Sequence, residues 1–180
     1  MGVWILVFLL SPTLYAGELL HSLARELDGH FILHLDMRIN AKYDDVYALL
    51  IDFNHLPAIN DTIESSQLLE SKGKIHKVKF VSNGCVWIIC QRVTQVVIVT
   101  ELGRGYIMSD ALPELSDISY GRTLWQIIDE GNSTRIKYDS DLVPDFWIPP
   151  LIGSSIFQNR ILKEGIKTIN GIENIINHAK

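Results

Sequence analysis

Residues 74–101 constrain the fold more than any other stretch of this chain. Their residue types favour an extended backbone almost throughout, yet a strand usually runs about five or six residues. The segment is therefore read as a hairpin. Cys85 and Cys90 flank the four residues Val86, Trp87, Ile88 and Ile89 at its turn. If the cysteines face each other, paired positions sum to 175 along both arms. That register puts Val78 opposite Val97, Phe80 opposite Gln95 and His76 opposite Val99. Val78, Phe80, Val93, Val97 and Val99 then share one face, and Lys77, Lys79, Arg92 and Thr94 the other. Since a slip of one residue would reverse both faces, one register accounts for both arms.

The same period runs elsewhere. In residues 30–40, Phe31, Leu33, Leu35, Met37 and Ile39 alternate with His30, His34, Asp36 and Arg38, the pattern of a half-buried antiparallel strand. Further strands are expected at 63–70, 104–109, 120–129 and 134–142, with turns at 71–74 and 130–133. A helix is expected at 40–53, with Asn40 as N-cap, Asp44 and Asp45 in its first turn, and Val46, Leu49, Leu50 and Phe53 as its buried stripe. Pro57 separates it from a second short helix or turn. A long helix is expected from Leu151 to about His178, because Ile152, Ile156, Leu162, Ile166, Ile169, Ile172 and Ile176 recur at helical spacing.

The N-terminus bears on location. Residues 1–16 carry no charged side chain; an apolar block, Val3 to Leu10, is followed by Ser11, Pro12 and the small Ala16. A short apolar run before a small residue is the pattern of a secretory signal peptide. It falls well short of the roughly 20 residues that span a bilayer. A buried N-terminal element is the alternative. On the export reading the leader is 1–16, a short segment fills 17–28, and one domain occupies 29–180, in a periplasmic or secreted protein. Leu19, Leu20, Leu23 and Leu27 have the spacing of a small amphipathic helix. The formal net charge of −5 argues against nucleic acid as a partner, which needs a clustered basic face.

Strand, two short helices, a six-strand meander and a long C-terminal helix resemble the START-like helix-grip (SRPBCC) superfamily, in particular its coenzyme-Q-binding and polyketide-cyclase branch. INAKYDDVYALLIDF (residues 39–53) is similar to the family's first strand and helix, and LVPDFWIPPL (residues 142–151) to its junction into the last helix. The resemblance implies an α+β fold: a curved antiparallel sheet of about seven strands wrapped around the C-terminal helix. It also implies an apolar cavity between sheet and helix, for a hydrophobic small molecule or lipid. Met37, Val78, Phe80, Val97, Trp125, Ile136, Tyr138, Ile152 and Ile156 are its expected lining, with ordinary core the competing role for each.

Alternate connections of an antiparallel meander fall at one end of the sheet. Two of these carry apolar sequence where polar residues are usual: Val86, Trp87, Ile88 and Ile89 at one, Phe146, Trp147 and Ile148 at the other. They are expected at the pocket mouth, either touching a membrane surface or packed on each other. Cys85 and Cys90 lie too far apart to bridge along one strand (about 16 Å) but come within about 7 Å across a hairpin. Export makes that disulfide permissible.

No catalytic residue, metal site or cofactor is expected. The chain has no Gly-rich phosphate loop, nucleophile elbow or helical pair of metal-binding histidines. His34 and Asp36 share the polar face of the first alternating strand, and Asp52, Glu64, Asp110, Glu114 and Asp117 fall mostly at helix ends or in loops. Tyr138 and Arg92 are the two polar candidates for chemistry, and the hairpin register places Arg92 outside. The leading expectation is an exported, monomeric, non-catalytic carrier with peripheral membrane contact. A cyclase- or hydratase-like enzyme and an envelope interaction module are the alternatives.

Overall fold

The computed structural model describes residues 17–86, 89–146 and 153–178. Eight strands form one antiparallel sheet: β1 (Glu18–Leu27), β2 (His30–Ile39), β3 (Ile63–Lys72), β4 (Ile75–Val86), β5 (Ile89–Gly103), β6 (Tyr106–Ala111), β7 (Ile118–Asp129) and β8 (Thr134–Pro144). Among the described residues three α-helices accompany them, α1 (Tyr43–Leu50), α2 (Leu56–Ile59) and α3 (Gly153–His178), with one 3-10 turn at Pro113–Leu115. The sheet order is β1-β2-β8-β7-β6-β5-β4-β3, so β2 closes against β8 near the end of the chain.

The β4–β5 ladder runs in the expected register over its whole length, from Ile75 opposite Thr100 to Cys85 opposite Cys90 and Val86 opposite Ile89. On β2, Phe31, Leu33, Leu35, Met37 and Ile39 are all buried, as alternation requires.

Two local expectations change. Residues 17–28 do not form a helix: β1 pairs with β2 and makes the eighth strand. The cause is the Asp28–Gly29 turn, where both residues have positive φ (52° and 83°). This is the type I′ geometry whose twist suits a two-residue hairpin. Leu20, Ser22 and Ala24 then turn inward, leaving Leu19, Leu23 and Leu27 exposed. Asn40 is not the N-cap of α1; Lys42 is, with no side-chain cap bond. The Asn40 N–H instead donates to Glu173 Oε1 on α3 (2.8 Å), a tertiary bond in place of a local one.

Register shifts in β1, β3, β5 and β7 mark irregularities of the bulge type, which bend a strand and increase its twist. Helix α3 packs mainly on β1 and β2, touches α1 and α2, and meets β4 only lightly. The core is therefore dense on one side, around Leu35, Met37, Ile39, Ile136, Ile169 and Ile172. On the other side β4–β7 stand away from the helix.

The outer face of β2 is polar and tied to β8 and its neighbours. His30 meets Asp141, Arg38 meets Glu18 and Glu130, and Asp36 takes two bonds from Arg135 (2.7 and 2.6 Å). Asp36 is nevertheless buried, and the Arg135 hydrogen bonds hold its carboxyl below the usual carboxylate range. Arg135→Gln is expected to destabilise the fold near neutral pH, because it leaves the buried Asp36 carboxylate without its charged donor. Adding Asp36→Asn should restore most of the lost stability. A depressed carboxylate stabilises above its unfolded value of about 3.9, and that contribution fades as pH falls through the folded value. Urea midpoints should therefore fall less on acidification in Arg135→Gln than in the parent; parallel losses would exclude the pair as the source.

Candidate ligand cavity

A cavity of about 440 Å³ lies between α3 and the concave face of the sheet. Its existence follows from the packing above. One long helix cannot follow a bent sheet across eight strands, and α3 stays with β1 and β2. Leu50, Phe53, Leu56 and Ile59, from α1, α2 and the segments beside them, line one end. Val78 and Phe80 of β4 and Val93, Val97 and Val99 of β5 supply one wall. Ile107, Trp125, Tyr138 and Leu142 line the sheet further across, and Phe146 and Phe157 lie at the end where β8 leads to α3.

Of the residues expected to line it, Val78, Phe80, Val97, Trp125 and Tyr138 do so. Met37 and Ile136 do not: they face each other across β2 and β8 and are sealed in the packed core (1% and 0% exposed). Ile156 is a correction of a different kind, being exposed on the outer side of α3. Ile152 lies outside the described residues. So do Trp87 and Ile88 of the first apolar tip and Trp147 and Ile148 of the second. Val86 and Ile89 form the last described pair of the β4–β5 ladder, and Phe146 lines the cavity.

The cavity face of α3 was not anticipated. It comprises Phe157, Arg160, Ile161, Glu164, Gly165 and Thr168, a stripe at helical spacing. Arg160 and Glu164 interrupt its apolar pattern, so hydropathy alone passes over it. They form an ion pair (2.7 Å) one turn apart. Glu164 also accepts a bond from Asn60 Nδ2 (3.2 Å) and lies 3.0 Å from the Thr62 hydroxyl. Asn60 Nδ2 reaches Thr168 Oγ1 as well (2.9 Å). This carboxylate thus belongs to the clasp that ties the end of α2 to α3, and its charge is matched by Arg160. Arg160 Nε is buried without a partner at the same wall.

A second polar group lies on the sheet. Ser109, Thr123 and Ser140 are successive neighbours across β6, β7 and β8, and all three line the cavity. The Tyr138 ring packs edge-on against Trp125 (4.5 Å between centroids), and its phenol lies near the Ser140 and Thr123 hydroxyls. Burial deep in the fold raises the phenol above its ordinary value, partly offset by those hydroxyls. It is a neutral donor or acceptor at neutral pH.

A third network stands behind the cavity wall. Tyr47 donates to Glu101 Oε2 (2.6 Å), His76 Nε2 lies 2.9 Å from Glu101 Oε1, and Ser71 Oγ lies 3.0 Å from His76 Nδ1. Its polar residues are not among those lining the cavity, and the network joins α1 to β3, β4 and β5. Arg92 is exposed and paired with Glu64, on the outer face expected for it. Among the described residues no group of three His, Cys, Asp or Glu is placed to hold a metal ion, and no helix is long and apolar enough to cross a membrane.

No family model and no curated protein matches this chain. Solved structures do. A protein from Thermus thermophilus superposes with a TM-score of 0.71 at 17% identity, over 83% of this chain and 99% of that one. The Zhui aromatase/cyclase from a Streptomyces species gives 0.69 at 14% identity, over 83% and 94%. A STAR-related lipid transfer protein from Xanthomonas axonopodis gives 0.61 at 15% identity, over 91% and 99%. With its curved eight-stranded sheet, its long C-terminal helix and the space between them, the chain has the START-like helix-grip fold.

Proposed function

We propose that the protein is an exported, non-catalytic carrier that holds a hydrophobic small molecule or lipid between the sheet and α3. One observation carries this reading: a cavity of about 440 Å³ whose exposed wall is mostly aliphatic and aromatic, with a minority of polar side chains set among them. The apolar majority of that wall favours an oily guest over water. The likeness to a STAR-related lipid transfer protein supports it. On this reading residues 1–16 are removed, the mature chain is a monomer in the periplasm or medium, and Cys85 and Cys90, opposite each other in the ladder, form a disulfide.

The apolar tips at residues 86–89 and 146–148 serve as the membrane contact through which ligand exchanges. Burying four large apolar side chains would contribute several kcal/mol, at about 1.5–3 each, enough for transient docking. The mature protein is expected to float with liposomes, and Trp87→Ser with Trp147→Ser to abolish flotation; undiminished binding by the double variant would remove the membrane from the account.

A cyclase-like enzyme is the second reading. It is favoured by the Ser109, Thr123, Tyr138 and Ser140 hydroxyls, which could hold a carbonyl inside the cavity, and by the likeness to an aromatase/cyclase. Native mass spectrometry of protein recovered from the exported fraction separates the two. A carrier retains a hydrophobic species and releases it unchanged on denaturation. Recovery of a cyclised product from a linear precursor supports the enzyme. Protein that arrives empty and takes up nothing from a lipid extract would defeat both.

A further inference from the structure

Glu173 is a carboxylate in the interior of the fold, 3% exposed on the inner side of α3. Oε1 accepts the Asn40 N–H (2.8 Å). Among the described residues no lysine, arginine or histidine is ion-paired with it. A buried carboxylate without a cation is costly. Its other oxygen faces Gly17. A methyl group built on the Gly17 Cα would lie 3.2 Å from Glu173 Oε2, 2.9 Å from Ile39 Cγ2 and 3.0 Å from the Arg38 carbonyl oxygen. Gly17 is therefore held closely between β2 and α3, where a side chain would crowd its neighbours. Its nitrogen is bonded to the same Cα, at about 1.46 Å.

We propose that cleavage between Ala16 and Gly17 creates the missing partner: the new α-ammonium of Gly17 docks on Glu173 and forms a buried ion pair. This rests on the export reading, which supplies the cleavage. Hydrolysis of the Ala16–Gly17 peptide bond consumes one water and leaves a carboxylate on Ala16 and an ammonium on Gly17. In the precursor the same nitrogen is a neutral amide, and no cation among the described residues pairs with Glu173. Processing is thereby coupled to stability: the uncleaved chain is the weaker fold, and the mature chain is locked at the junction of β1, β2 and α3. Glycine suits position 17 for the same reason, because a Cβ there would press on Ile39 Cγ2 and the Arg38 carbonyl oxygen.

The test uses the chain 17–180, which keeps every described residue, with its amine free or acetylated, each with Glu173 or Glu173→Gln. In the Glu173 background the free amine should raise the folded-to-unfolded ratio in urea by about tenfold or more over the acetylated form. In Glu173→Gln that advantage should shrink to near nothing. An equal advantage in both backgrounds, or none in the Glu173 background, would overturn the ion pair. Should Glu173→Gln not fold, the acylation rate of the amine decides: a docked amine reacts more slowly than that of a chain begun one residue earlier at Ala16, and equal rates refute docking. The N-terminal mass of the exported protein tests the cleavage separately. A start other than Gly17 overturns the processing step, whereas the urea comparison judges the pair alone.

Discussion

Gly171→Ala is expected to destabilise the protein by about 3 kcal/mol or more, although the same change in an unobstructed helix is worth roughly 1 kcal/mol in the opposite direction. The sign turns on what a methyl group would meet. A Cβ at Gly171 would lie 1.8 Å from the Ile59 carbonyl oxygen and 2.9 Å from its carbon. Both are backbone atoms, so no side-chain rotation relieves the overlap. Helix α2 would have to lift from α3, against the Asn60, Thr62 and Glu164 bonds and the burial of Ile59. Gly165→Ala is the useful contrast. There the methyl meets Leu35 Cδ1 at 2.6 Å and Leu33 Cδ2 at 3.0 Å, the ends of two side chains that can give way. Urea unfolding of both variants should therefore rank Gly171→Ala well below Gly165→Ala and the parent. A Gly171→Ala protein as stable as the parent would mean that α2 does not press on α3 as described. Because small domains have only about 5–15 kcal/mol in hand, the loss is large enough to appear also as reduced yield.

Period and register were legible in the sequence; lateral position was not. Alternation along β2 and the single register of the β4–β5 hairpin follow from side chains pointing to opposite faces of a strand, so local sequence suffices. The long helix is equally local. Residues 17–28 misled because Leu19, Leu20, Leu23 and Leu27 match a helical spacing by coincidence, while the Asp28–Gly29 turn carried the stronger information. The lining of the cavity was half legible. Alternation says that Met37, Ile136, Val78 and Val97 all face inward, and they do. It cannot say that the inward face is divided, with α3 pressed on β1 and β2 and held away from β4–β7. That division depends on where a helix far along the chain comes to rest. The stripe from Phe157 to Thr168 was hidden for a related reason: Arg160 and Glu164 pair with each other there and can face a cavity that unpaired charges would avoid.

Val97→Phe and Ile136→Phe are expected to move stability in opposite directions, and this pair tests whether the space is real and whether ligand occupies it. Both parent residues are buried, β-branched and within strands, so propensity and solvent exposure are nearly matched. They differ in what lies beyond the side chain. Val97 lines the cavity of about 440 Å³, so a ring there enters empty space, adds buried apolar area and should leave stability unchanged or raised by about 1 kcal/mol. Ile136 is fully buried between Met37 and Ile127 in the ladder, where extra volume forces its neighbours off their rotamers at a cost of about 1–3 kcal/mol. Ligand retention, read by native mass spectrometry, should follow the cavity and not stability. Val97→Phe should lose at least tenfold in occupancy at limiting ligand, whereas folded Ile136→Phe should retain the parent's level. If both variants lose stability alike, the sheet and α3 are packed solid and no carrier is possible. If Val97→Phe is stable yet binds as the parent does, the ligand lies elsewhere on the molecule. A ring that stabilises the fold and expels the guest is the outcome that only an empty, ligand-accepting cavity predicts, since any other use of these walls would tie stability and binding to the same sign.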